Sequence, residues 1–286
     1  MPLFFEKLYA IGTVPRPVRI LQKRTEDAHD NPTLSLDAAG HLYVFSSAHG
    51  TGRPSYLHRS KRPYDIAEWE LIEKTNYSYT QPWYLPQSQR FLFLHTLYVK
   101  GERTLNWKTS ADGRTWTPPQ LLAHIELGDY QLSARQGNTD RVAIAFDLHP
   151  NHGREGKGLN YRTNLYYAET RDAGSTWTNA AGQRLAPPLR EAQNPALVRD
   201  YRAENLSVYL KEIAFTAQGH PVILYLTSKG FNPGPDSGPF QWYTARWTGR
   251  DWEFRPFAAS DHNYDHGTLY IEADGTWRVI APMAPG

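Results

Sequence analysis

The sequence contains no cysteine, which excludes disulfides and thiolate metal sites and leaves the redox compartment unreadable. It has no apolar run of membrane-spanning length, so no partner membrane is expected. It has no lysine- or arginine-rich tract, and the net charge is only +2. The electrostatic footprint of a nucleic-acid binder is therefore missing. The opening MPLFFEKLYAIG lacks the apolar core and cleavage site of a signal peptide, so no export signal is expected in the chain as given. Helical periodicity is almost absent.

What is there instead is aromatic: 9 Trp and 18 Tyr among 286 residues. Flat rings pack between sheets and also stack on sugar faces, and strand packing must account for most of them. Glycine, proline and Asn/Asp clusters punctuate short β-branched and aromatic runs, the pattern of an all-β chain. Residues 28–50, AHDNPTLSLDAAGHLYVFSSAHG, read as a β-hairpin turning at residues 38–41. His29 and His49 lie equally far from the turn centre, so antiparallel pairing brings them to one edge of the sheet.

This hairpin recurs. Inner hairpins are expected near 29–49, 79–98, 130–149, 206–230 and 262–285, and tryptophan turns end the strand pairs between them. Residues 170–177, TRDAGSTW, fit the Asp-box pattern S/T-x-D-x-G-x-T-W, with Asp172 capping the turn and Trp177 packed between strands. Residues 109–116, TSADGRTW, repeat it with Ala111 where the aspartate belongs. The unit has about four strands, the size of a propeller blade. The expected fold is a β-propeller of four-stranded antiparallel blades, about five of them, in one domain over residues 1–286. An insertion over 150–159 lengthens the third blade, and a proline-rich segment over 186–195 follows it. The fifth blade stops after its inner pair. Either residues 1–20 supply closing strands, or the chain is part of a larger propeller, the reading preferred here.

Innermost strands line the hub of a propeller. The hairpin argument then crowds His29, Asp30, His49, Tyr79, His95, Tyr98, Tyr130, Asp147, His149, Tyr209, Lys211, Glu212, His262, Tyr264, Asp265 and His266 onto one rim. Any single histidine is more readily read as filling a wet channel. The convergent set points to a polar site with several proton-transfer groups. Zinc on His29, His49 and His149 is a rival use, but no His-x-His or His-Glu-x-x-His spacing supports it. No cofactor is expected, a structural calcium being the one allowance.

The stretches AHDNPTLSLDAAGHLYVFSSAHG, NYSYTQPWYLP, NPALVRDYRAENLSVYLKEI and SDHNYDHGTLYIEADGTWRVIAP resemble the BNR-repeat, sialidase-like propellers of bacteria. The resemblance runs from Thr13 onwards. It implies a clan that includes ulvan and other uronate polysaccharide lyases and an α-L-rhamnosidase. It also implies an acidic carbohydrate substrate and secretion or a periplasmic location. The lyases place one histidine at the start of an inner strand and a second at the end of its partner, as His29 and His49 stand here. A tyrosine follows on the next blade, where Tyr79 fits. Their uronate-neutralising arginine falls here at His95, a departure. The sialidases resemble this chain only in the Asp boxes, because no arginine triad is recognisable. A local resemblance of HDNPTLSLDAAGHLYVFSS to arabinanase and xylosidase propellers implies an inverting alternative on Asp30, Asp147 and Glu212.

The reading that follows is an enzyme of acidic polysaccharide, monomeric, acting by β-elimination. His29, His49 and Tyr79 carry protons. His95, Lys211 and Arg162 are candidates to hold the carboxylate. Tyr130, Asp147, His149, Tyr264 and His266 line the substrate. Glycoside hydrolysis and sugar binding without catalysis are the alternatives.

Overall fold

The computed structural model describes residues 16–23, 25–150 and 160–284. The insertion at 151–159 and most of the expected closing segment lie outside the described residues; residues 16–20 form no strand.

Among the described residues, eighteen strands run in antiparallel meanders. The first blade is β1 (Pro32–Leu36), β2 (Leu42–Ser46), β3 (Ser55–Ser60) and β4 (Trp69–Thr75). The second is β5 (Ser78–Leu85), β6 (Arg90–Val99), β7 (Glu102–Ser110) and β8 (Gln120–Ala123). The third is β9 (Gln131–Arg135), β10 (Val142–Leu148), β11 (Thr163–Thr170) and β12 (Leu197–Arg199). The fourth is β13 (Ser207–Phe215), β14 (Pro221–Ser228), β15 (Phe240–Trp247) and β16 (Trp252–Ser260). A two-stranded fifth sheet pairs β17 (Thr268–Ile271) with β18 (Trp277–Ile280). The innermost strands β1, β5, β9, β13 and β17 are neighbours in that order. This is the propeller arrangement, with four complete blades and one inner pair among the described residues.

The turns follow from their residues. In the first, the Asp37 side chain accepts the His41 backbone N–H at 2.8 Å. Gly40 takes φ +88°, and a Cβ there would lie 2.3 Å from the Tyr64 ring, so only glycine fits. Each junction between blades holds its own apolar core. Phe45, Leu57, Tyr77 and Phe93 join blades one and two, and Leu94, Trp107, Phe146 and Trp177 join two and three. Tyr167, Val208 and Tyr225 join three and four, and Leu224, Trp242 and Leu269 join four and five. A fully buried large side chain contributes roughly 1.5–3 kcal/mol. Packing therefore accounts for Trp177, Trp242, Tyr43, Tyr166 and their like. It does not account for Tyr79, Tyr98, Tyr130 and Tyr264, which stay partly exposed.

Two expectations need correction. The proline-rich segment 186–195 lies inside the third blade, between β11 and β12, because β12 is the outermost strand of that blade. In the degenerate Asp box the aspartate has moved one place. Asp112 Oδ1 accepts the backbone N–H groups of Thr115 (2.7 Å) and Arg114 (2.8 Å), and these bonds bring its pKa down to about 2. In the intact box, Asp172 Oδ1 accepts the Thr176 N–H at 2.8 Å while Trp177 is buried.

Candidate functional site at the hub

A short 3₁₀ turn, Ala28–Asp30, leads into β1. Asp27 caps it, its Oδ1 accepting the His29 backbone N–H at 3.0 Å. The same carboxylate then holds two imidazoles. Asp27 Oδ1 lies 2.6 Å from His29 Nδ1, and Oδ2 lies 3.0 Å from His49 Nδ1. The two rings stack, centroids 4.1 Å apart and 22° from parallel. The His29 backbone N–H, then the rings of His29 and His49 and Arg53, hold the Asp27 carboxyl well below the usual range. It stays ionised, and its two oxygens accept from the Nδ1 atoms of His29 and His49. Each ring therefore has Nε2 as its basic nitrogen.

Beyond His49 comes Tyr79, whose phenol oxygen lies 3.2 Å from His49 Nε2. Tyr79 reaches this position through an irregularity in β5, whose register shifts between Ser78 and Gln81. Its own backbone is left-handed, at φ 52°. Burial, with Tyr130 and Tyr98 adding, pushes its phenol far above the ordinary value. It is therefore neutral at rest and able to donate to His49 Nε2. Asp27, His49 and Tyr79 form a carboxylate–imidazole–hydroxyl line. The ligand-atom spacing of Asp27, His29 and His49 also allows a metal ion. While each Nδ1 donates its proton to Asp27, neither offers a lone pair to an ion there.

Beside this line is a basic wall. Arg103 on β7 sits opposite Tyr98 in the β6–β7 register. Its guanidinium lies 4.3 Å from the Tyr130 ring centroid and 5.5 Å from that of Tyr98. Arg162 approaches Tyr130 as well, at 3.9 Å. Arg103 is buried, and its Nε makes no hydrogen bond among the described residues; the same holds for His149 Nε2. Burial, reinforced by Arg103 and Arg162, pushes His149 down to about 2, so its ring is neutral. The loop over Arg103 is tight. A Cβ on Gly128 (φ +107°) would lie 2.0 Å from the Arg103 carbonyl oxygen.

Asp147 is fully buried, and its Oδ1 accepts the Tyr130 N–H at 3.0 Å. Burial pushes its carboxyl up to about 7 against the pull of Arg162, the Tyr130 N–H and Arg103. A carboxyl raised in the fold above its unfolded value of about 4 favours folding in its protonated form. That contribution is full below about pH 4 and is lost as pH rises through about 7. Replacing Asp147 by asparagine keeps the acceptor and removes the titration. The melting temperature of Asp147→Asn is expected to gain a few degrees on the wild type between pH 5 and pH 8, read by calorimetry.

The structure thus brings together His29, His49 and Tyr79, and next to them Tyr130, Asp147, His149 and Arg162. Other sequence candidates stand elsewhere. His95 is buried, stacked on Phe93 at 4.7 Å and facing Tyr77. Burial, with Lys108 adding, brings it down to about 3. A neutral core imidazole cannot neutralise a carboxylate. Two of the three carboxylates of the hydrolytic alternative are engaged. Asp30 is buried in a two-bond pair with Arg53 (3.1 and 3.0 Å), with Lys23 at 3.3 Å. Glu212 accepts from Thr268 Oγ1 (2.7 Å) and the Leu269 N–H (2.6 Å), tying blade five to blade four. Lys211, Tyr264 and His266 line the hub further round. Sequence reading missed Asp27, Arg53 and Arg103. The Asp-Ala-His spacing was a signal for the first.

Fold and site together define a β-propeller with a histidine–tyrosine site at its hub, flanked by cations. The BNR repeat-containing family matches residues 16–260, and the chain belongs to that family. Among curated relatives, the ulvan lyase of Nonlabens ulvanivorans is 28% identical over 262 residues, covering 81% of this chain and 54% of that one. The ulvan lyase PL25 of Pseudoalteromonas sp. (strain PLSV) is 25% identical over 257 residues, covering 79% and 51%. A solved PL25 ulvan lyase bound to -[GlcA(1-4)Rha3S]- superposes with a TM-score of 0.70 at 18% identity, covering 87% of this chain and 62% of that one. The chain spans about half the length of the curated relatives it matches. No described helix is long and apolar enough to cross a membrane.

Proposed function

We propose that the protein is a polysaccharide lyase that cleaves a uronate-containing polymer by β-elimination. The observation that carries this reading is the Tyr79–His49–Asp27 line, with the Arg103 guanidinium alongside. The likeness to ulvan lyases agrees with it. A sulfated glucuronate polymer is the substrate class, and a site of action outside the cell follows from the size of such a polymer.

The chemistry runs as follows. The proton at C5 of a uronate is weakly acidic because the adjacent carboxylate is negative. Arg103 pairs with that carboxylate and stabilises the charge that develops as the proton leaves. Tyr79 takes the C5 proton as its own hydroxyl proton passes to His49 Nε2. The imidazolium formed is compensated by Asp27. The C–H electron pair becomes the C4=C5 double bond, and the C4–O bond breaks. Tyr79 gives its proton to the leaving oxygen and recovers one from His49, so protons balance within the pair. His29, stacked on His49 and more exposed, offers Nε2 to the sugar at the mouth of the site.

The test is incubation with glucuronate-containing polymers. The expected result is oligosaccharides that absorb in the ultraviolet through the new double bond. New reducing ends without that absorbance would assign hydrolysis. Binding without either product would assign a sugar-binding propeller.

A further inference from the structure

Lys211 lies on β13 at the irregularity between Leu210 and Glu212, which leaves it outside the regular ladder. Its ammonium donates to the Asn263 carbonyl at 2.8 Å. It forms no ion pair among the described residues. The carboxylate that acts on it most, Asp265, already accepts from the Ser260 hydroxyl. Its other charged neighbour is Arg162. Arg162 repels it from one side, and Lys211 in turn depresses His266 on blade five. Burial and Arg162 bring the amine down to about 7. A partly buried amine facing Arg162 is held at a cost, which an anion would offset.

The setting is that of a saccharide subsite. Arg162 reaches the Tyr130 ring on one side and the Tyr209 ring, at 5.7 Å, on the other. It therefore links the Arg103 region to blade four. Tyr264 exposes nearly half its surface on the same rim and donates its hydroxyl to Asn160.

We propose that Lys211, with Arg162 and His266 beside it, forms a second anion subsite that holds a sulfate ester or carboxylate on a sugar next to the reacting uronate. The proposal rests on the lyase reading above. The subsite adjoins the reacting centre through Tyr130, and its groups take no part in the proton line. Its contribution is to binding, in the ground state and the transition state alike.

The experiment compares the wild type with Lys211→Met and Lys211→Arg, on a sulfated glucuronate polymer and on the same polymer desulfated. Lys211→Met is expected to raise KM about tenfold and leave kcat within about twofold, the mark of lost uniform binding. Lys211→Arg keeps the cation and is expected to hold KM within about threefold. A rise confined to the sulfated polymer assigns the sulfate ester, and an equal rise on both assigns a neighbouring carboxylate. Unchanged KM on both polymers overturns the proposal, as does a fall in kcat alone. Calorimetric titration with a sulfated uronate tetrasaccharide reads the same subsite without turnover. Weaker binding by Lys211→Met than by the wild type would support it even if no unsaturated product ever formed. Equal binding would overturn it. Melting temperatures of the variants show whether either is unfolded.

Discussion

Tyr79→Phe is expected to lower kcat by about a thousandfold, the middle of the range for loss of a proton-transfer group. The substitution removes one oxygen. The ring contacts with Tyr130 (5.5 Å between centroids) and His49 (5.9 Å) are retained, so the melting temperature should hardly move. KM should change little, because in the proposed mechanism the hydroxyl acts on the reacting atoms. His49→Ala should cost a similar factor. The double variant should be little worse than either single one, since the two residues act as one unit. Initial rates from the ultraviolet absorbance of the product measure all three. A Tyr79→Phe enzyme that keeps a tenth or more of the wild-type kcat would remove Tyr79 from the proton path.

Arg103→Met is expected to lower kcat/KM by about 10²–10³, roughly 3–4 kcal/mol of transition-state stabilisation. Methionine fills much of the space of the arginine stem, so the buried position should remain packed. Lysine should not rescue the loss. Arg103 lies against two tyrosine rings, where a flat guanidinium stacks and an ammonium does not. The informative comparison is with a polymer whose uronates are methyl-esterified. In the proposed mechanism esterification removes the charge that Arg103 answers, so the variant and the wild type should converge on it. A constant ratio on both polymers would show that Arg103 only supports the fold.

The hairpins were legible because their turns obey short-range chemistry. Gly40 takes positive φ at the turn read over residues 38–41. The symmetry of the first hairpin also sufficed to bring His29 and His49 together. Arg103 escaped for a tertiary reason. In KGERT it reads as part of an exposed hairpin tip, and Lys100 and Gly101 do form that tip at positive φ. Long strands then pair Arg103 with Tyr98, and the Gly128 loop closes over it. His95 was drawn to the rim by its distance from the turn. On β6 it shares a face with Phe93, and that face packs into the core between blades one and two. Asp27 lies outside the hairpin, so the repeat never tested it.

The left-handed backbone at Tyr79 has a consequence for how such a chain can change. A bulky residue at φ 52° is held there against its own preference, at a cost on the order of 1–3 kcal/mol. Glycine or asparagine would relax the strand, and neither could pass a proton to His49. Selection for stability alone would therefore erase Tyr79, and on the proposed proton path selection for turnover would keep it. A thermostability screen that ignores activity should find replacements at position 79 among its gains, each of them inactive.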